Sequence, residues 1–181
     1  MLRGVSTVAA MALAVAGSVA LAKEQHWTAT PEGYAAHLSG VGAWEFSAMR
    51  KGADGKPECT EAWTFNKDGT GTVISGEQEL NLSWKYVQHD VLGMLLKITY
   101  ESSTAGKDCL GRDTDPSRYP LDNGAGLTLM FFNSGRSAYV CSAPQVVVDE
   151  NGEYRLGPNG KVMTMQSLEN CWGNLAPVSD S

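Results

Sequence analysis

The stretch Leu80-Asn81-Leu82-Ser83-Trp84-Lys85-Tyr86 carries an apolar side chain at every second residue without a break. Successive side chains of a strand point to opposite faces, so this pattern makes one apolar and one polar face. It does not fit the 3.6-residue period of an amphipathic helix. The spacing recurs along the chain. Trp44, Phe46 and Ala48 share a face, and so do Trp63 and Phe65. Thr70 to Ser75 is rich in strand-forming residues, and Met94, Leu96, Ile98 and Tyr100 oppose Leu95, Lys97, Thr99 and Glu101. Leu127 to Asn133, Arg136 to Ser142 and Lys161 to Leu168 complete the set. Gly, Asn, Asp and Pro, the residues that turns need, divide the segments.

Two links are too short for anything but adjacent antiparallel strands: Asn66-Lys67-Asp68-Gly69 and Asn133-Ser134-Gly135. Val146-Val147-Val148 with Asp149-Glu150-Asn151-Gly152 adds an expected extra hairpin, Asn-Gly being a strong turn pair. The pattern therefore predicts an all-β fold: an up-and-down antiparallel barrel of eight strands, ten with the extra hairpin, tied by disulfides. Closure hides both sheet edges and turns the apolar faces inward. A two-sheet sandwich is the structural rival. Residues 23–40 predict one short helix, with Thr30 as N-cap, Pro31 in the first turn and Gly40 as stop. Tyr34 and Leu38, four apart, share one face of it.

Asn66 to Glu77 also overlays the calcium-loop template, with Asn66, Asp68, Thr70, Gly71 and Glu77 on its first, third, fifth, sixth and twelfth places. An EF-hand needs a helix on each side. Gly52, Gly55 and Pro57 precede the stretch, and the period-two run 80–86 comes after it. Ile74, on the ninth place, has no ligand atom. The expected structure is a hairpin turn with Gly69 at the positive-φ position.

The N-terminus reads as an export signal over residues 1–22: Arg3, an uncharged run from Gly4, then Ala20-Leu21-Ala22, which fits a signal-peptidase site. The chain beyond Ala22 has the size of one domain. The expected divisions are the N-terminal segment 23–40, the barrel 41–175 and a tail 176–181. Asp and Glu number 20 against 14 Lys and Arg, a net charge of −6, which argues against nucleic acid or an anionic membrane as partner. No membrane insertion of the mature chain is expected. Cys59, Cys109, Cys141 and Cys171 predict two disulfides in an oxidising compartment, periplasmic or extracellular, with three pairings open. No two of them have the close spacing of a zinc site, so no metal or other cofactor is expected.

Gly42-Ala43-Trp44, then Phe65-Asn66-Lys67-Asp68-Gly69-Thr70-Gly71 and Trp84 on a later strand, resemble bacterial lipocalin-like domains of the calycin type. The motifs cover about residues 38–101. The resemblance implies a closed barrel preceded by a short helix, with Trp44 plugging the closed end.

Alternation places Trp44, Trp63, Trp84, Tyr86, Tyr100, Phe131 and Tyr139 inside such a barrel, where they are the candidate ligand-binding residues. Rings in this number suit a small hydrophobic or aromatic molecule; the competing reading is a plain core. Residues 102–126 form a long irregular stretch, expected to be a lid tied down by Cys109. There Asp113 and Asp115 are candidate cation ligands, and Arg112 and Arg118 candidate anion contacts. No hydrolase, zinc-protease or phosphate-loop motif occurs. Two alternatives fit the same residues. One is a barrel enzyme of isomerase or lyase type using an interior Tyr or Glu, or His89. The other is a protein-binding or inhibitor module acting through 102–126.

Overall fold

The computed structural model of the chain describes residues 28–178 apart from residue 125. The expected leader over 1–22, His26 and the last three residues of the chain lie outside the described residues. The helix α1 spans Pro31–Val41. The strands are β1 (Ala43–Ala48), β2 (Thr60–Phe65), β3 (Thr70–Ser75), β4 (Gln78–His89), β5 (Gly93–Ser103), β6 (Leu121–Asp122), β7 (Leu127–Phe132), β8 (Ser137–Ser142), β9 (Gln145–Val146), β10 (Thr164–Met165) and β11 (Cys171–Pro177).

In the order β1, β2, β3, β4, β5, β7, β8, β11, each strand pairs antiparallel with the next, and β11 pairs back onto β1. The result is the expected closed eight-stranded barrel. Its narrowest seam lies between β5 and β7, which pair only at Leu96 and Leu127. There β6 continues the edge of β5 opposite Thr99 and Tyr100. Asn123 bridges the gap, donating its backbone N–H to the Ile98 carbonyl at 3.0 Å and its side-chain amide to the Leu96 carbonyl at 3.3 Å.

Thr30 caps α1 as expected, accepting from the Gly33 N–H at 3.1 Å. The helix runs one residue past the expected stop and ends at Gly42, whose φ of +81° a side chain would disfavour. Its Leu38 and, beneath the helix, Trp44 are fully buried. Trp44 donates its indole N–H to the Leu38 carbonyl at 3.0 Å, and His37 donates Nε2–H to the Gly135 carbonyl at 2.9 Å. Both bonds satisfy groups that burial takes from water. Helix α1 thus seals the end at which β1 begins.

The Asn66–Gly69 link is a turn and not a calcium loop. Asn66 N–H bonds the Thr70 carbonyl at 2.8 Å, Gly69 sits at φ +83°, and strands flank it on both sides. Asp68 spends its carboxylate locally, accepting from the Thr70 N–H at 3.0 Å and hydroxyl at 2.7 Å.

Two boundaries differ from expectation. Lys161–Leu168 is not the eighth barrel strand; it belongs to an arm that leaves the barrel between β8 and β11. In the arm β9 pairs with β10, and Val148 and Leu156 bridge to Tyr154 and Val162. Val147 N–H bonds Met163 O, Met163 N–H bonds Arg155 O, and Arg155 N–H bonds Val147 O, so three segments close on one another. Its Val146, Val148, Tyr154, Leu156, Met163 and Met165 are exposed. The place in the barrel falls to β11, which reaches Pro177 opposite Trp44, beyond the expected limit at 175. The alternation of β11 is hidden because its inward position beside Phe46 is Gly173, where a Cβ would lie 1.7 Å from Phe46 Cε2. The Phe46 ring fills the space that a side chain there would need.

The turn carboxylates make stability pH-dependent. Hydrogen bonds from the Thr70 hydroxyl and N–H hold Asp68 below its ordinary value, and those from Ser117 do the same for Asp115. A lowered folded value adds stability above the ordinary carboxylate pKa, and that contribution is lost as pH falls through the lowered one. The urea midpoint is therefore expected to drop as pH falls through and below the ordinary carboxylate value of 3.8, with a shallower drop in Asp68→Asn; equal slopes in the two proteins would contradict the assignment.

Candidate functional site: the open end of the barrel

The end away from α1 is where β1 finishes and β2, β8 and β11 meet the loops. Both disulfides lie there. Cys59 bonds Cys109, fastening the 102–126 stretch to the start of β2, and Cys141 bonds Cys171 across the base of the arm. This selects one of the three pairings. The stretch is also held by backbone and side chain: Glu77 N–H to the Lys107 carbonyl at 2.8 Å, Cys109 N–H to Ser75 Oγ at 3.2 Å, and Gln78 to Thr114. Residues 107–114 of the stretch are thus fastened to the rim of the open end, while 121–123 run along β5.

Beneath this stretch is a half-open cavity of about 430 Å³. One wall is aromatic and apolar: Phe46 and Ala48 from β1, Met49 after it, and Trp172 from β11. The other is the Cys59–Cys109 disulfide with Leu110, and the polar lining is Arg50, Glu58, Glu61 and Arg112. Phe46 stands between two indoles. It stacks on buried Trp63 at 5.5 Å between ring centres and meets half-exposed Trp172 at 5.2 Å.

Glu61 is the inward carboxylate of this end. Alternation on β2 sets it on the same face as Trp63 and Phe65. Its Oε2 accepts the Trp63 indole N–H at 2.7 Å and its Oε1 accepts the Ser75 hydroxyl at 2.7 Å. Glu61 Oε1 and the sulfurs of Cys59 and Cys109 lie close enough to suggest metal ligands. Both sulfurs are committed to the disulfide, so the cluster offers no thiolate. The rim arginines are paired, Arg50 with Glu58 at 3.0 Å and Arg112 with Asp108 at 2.7 Å. Tyr100, behind Glu61, is pushed up to about 12 by burial first, then by the charges of Glu61 and Tyr119.

None of the seven aromatic residues predicted to hold a ligand lines this cavity. Trp44, Trp63, Trp84 and Tyr86 are buried core residues. Trp63, Phe65, Trp84 and Tyr86 form a row in ring contact at 5.3–6.5 Å, and Phe131 meets Trp44 and His37 at the α1 end. Tyr100 packs against the same core. Tyr139 is a correction: Ala138 and Val140 take the inward places on β8, and Tyr139 stacks outside on Phe132 at 4.6 Å. Trp84 and Tyr86 also border a shallower groove of about 290 Å³ beside α1. The Tyr86 hydroxyl is buried without a hydrogen-bond partner among the described residues, and burial, with Tyr34 nearby, raises its pKa well above the usual value.

Of the loop charges, Asp108, Arg112 and Asp115 have partners within the loop, whereas Asp113 and Arg118 are exposed. Asp115 caps the turn at Pro116–Arg118, Asp108 pairs with Arg112, and Asp113 pairs by backbone with Lys107. His89 caps the β4–β5 turn, its Nδ1 accepting from the Val91 and Leu92 N–H groups at 3.1 Å each, at the end opposite the cavity. Sequence reasoning missed Glu61 and Trp172 as site residues. The parity of Glu61 with Trp63 gave a usable signal; Trp172 gave none, since its strand was not recognised.

Comparison with protein-family models, curated proteins and solved structures finds no match for this chain. Among the described residues no helix is long and apolar enough to cross a membrane. The two disulfides fit a non-cytoplasmic compartment.

Two measurements check the packing at this end. In Gly173→Ala the new Cβ displaces the Phe46 ring, so a loss of about 1–3 kcal/mol in urea unfolding and a change in near-ultraviolet circular dichroism are expected; an unchanged spectrum would rule out the close approach. Because the folded pKa of Tyr100 is raised, its contribution is complete below 10.0 and is lost as pH rises towards about 12. Melting temperature should fall less steeply across that window in Tyr100→Phe than in the parent.

Proposed function

We propose that this is an exported lipocalin-like barrel, periplasmic or secreted, that binds a small hydrophobic or aromatic molecule. The ligand sits in the open-end cavity and not in the middle of the barrel, where the rings pack on one another. The observation that carries the reading is the cavity itself. Its volume of about 430 Å³ lies within the roughly 300–1,000 Å³ that small-molecule sites occupy, and its walls join aromatic faces to a few polar groups. The export reading draws on the leader pattern of 1–22 and on the disulfides. Trp44, buried under α1 at the opposite end, supports the lipocalin-like assignment.

The enzyme reading has less support. The cavity lining includes no Ser, Thr, His, Lys or Tyr, and its three cysteines are disulfide-bonded. The carboxylates Glu58 and Glu61 are the acid–base groups of the lining, and Glu58 is paired with Arg50. The 102–126 stretch, considered as a protein-binding surface, serves as a wall of the cavity through Cys109, Leu110 and Arg112.

Trp172, half-exposed at the rim, is the reporter. Titration with a panel of fatty acids, indoles and tetrapyrroles should perturb its fluorescence with saturation, and Trp172→Phe should abolish the signal change. Ala48→Phe, which fills the cavity, should weaken binding by about tenfold or more. A flat response to every member of the panel would reject the proposal.

A further inference from the structure

The charge balance inside the cavity goes further than its shape. Arg50 and Glu58 neutralise each other on the rim, as do Arg112 and Asp108. Glu61 has no ion-pair partner among the described residues; its two bonds come from the neutral Trp63 N–H and Ser75 hydroxyl. Their direction is fixed. An indole N–H only donates, and the Ser75 oxygen already accepts from the Cys109 N–H, which leaves its proton for Glu61. Two of the carboxylate's roughly four lone-pair positions are thus filled. The Cys59 and Cys109 sulfurs, 3.8 and 3.5 Å from Oε1, are in a disulfide and carry no hydrogen, so they donate nothing. A carboxylate with spare acceptor capacity and no ion-pair partner among the described residues therefore borders a cavity walled by Phe46 and Trp172, whose two lining arginines are each paired with another carboxylate.

From this arrangement we infer that the cavity selects a ligand with an apolar or aromatic body and a protonated amine, the ammonium group meeting Glu61 while the body lies on Phe46 and Trp172. The inference rests on the small-molecule reading of the cavity and adds the class of ligand. An ammonium group gives Glu61 an ion-pair partner and donates a charge-assisted hydrogen bond. The aromatic faces add cation–π attraction in the same space. A carboxylate ligand meets the opposite situation: Glu61 repels it, and both arginines are already paired.

Three probes of one size and shape test the assignment: 4-phenylbutylamine, 4-phenylbutan-1-ol and 4-phenylbutyrate. Each is titrated at neutral pH into the purified protein, with calorimetry and Trp172 fluorescence as readouts. The amine is expected to bind about tenfold or more tighter than the alcohol, with the acid weakest. Glu61→Gln should bring amine and alcohol to similar affinity while still binding the alcohol. Equal affinities for the three probes, or a preference for the acid, would overturn the ammonium assignment and leave the small-molecule reading standing. A preference for the amine that survives in Glu61→Gln would overturn the role given to Glu61. No binding of any of the three probes would overturn the ammonium assignment; the small-molecule reading falls only if the wider panel of fatty acids, indoles and tetrapyrroles is also without response. The comparison among probes needs no variant, so poor folding of Glu61→Gln leaves it decisive.

Discussion

The pairing of β11 with β1 brings the last strand of the barrel beside its first and leaves the sheet without a free edge. Closure forces every inward side chain into one enclosed volume; the inward positions of β1 and β2 are mostly rings, and Trp84, Tyr86 and Tyr100 add to them from β4 and β5. Phe46 reaches across the seam to lie where a side chain at position 173 would be, so strand pairing and ring packing depend on each other. With glycine at that point, β1 and β11 approach closely enough for Phe46 to bridge the core and the rim. Each buried ring contributes on the order of 1.5–3 kcal/mol by leaving water, and together the rings fill the middle of the barrel.

A filled middle moves any binding space to an end, and the two ends differ in chemistry. At one, α1 places Leu38 and Tyr34 over the core, while Trp44 and His37 satisfy carbonyls that would otherwise be buried unpaired. At the other, no α-helix among the described residues covers the barrel. Loops must cover that end, and the disulfides hold them: the Cys59–Cys109 bond and the Ser75 contact press the 102–126 stretch onto the rim. Irregular chain packs less tightly than a helix over a ring of strands, and the cavity is the space left. Glu61 is placed within it by strand parity and kept oriented by Trp63, itself fixed in the core.

Much of the architecture was legible because its signals are local. Positive φ at Gly69 arises from the needs of a short hairpin loop, and the same spacing recurs at Gly52–Gly55, Asp108–Gly111, Asp149–Gly152 and Gly157–Gly160. The failures have one cause. Lys161–Leu168 has the residues of a strand, but its partners are arm segments, so its apolar side chains stay in water. Cys171–Pro177 looks irregular because Phe46, distant in sequence, supplies the bulk missing at Gly173. Tyr139 belongs to the outer face because Ala138 and Val140 are the residues small enough for the inner one beside Leu175 and Leu129. The aromatic residues taken as ligand contacts are correctly inside, Tyr139 apart, yet alternation says nothing about how much room remains between them.

The sequence by itself determined the all-β class, the antiparallel order, the turn positions, the short helix and an even set of cysteines suited to two disulfides. Each of these rests on backbone preferences acting over a few residues. Tertiary structure alone decided which cysteines pair, which segment closes the barrel, that the interior rings pack against one another, and that Glu61 borders a cavity whose arginines are paired with other carboxylates. These outcomes depend on distances and volumes contributed by side chains far apart in the chain, and those are set only once the sheet has closed.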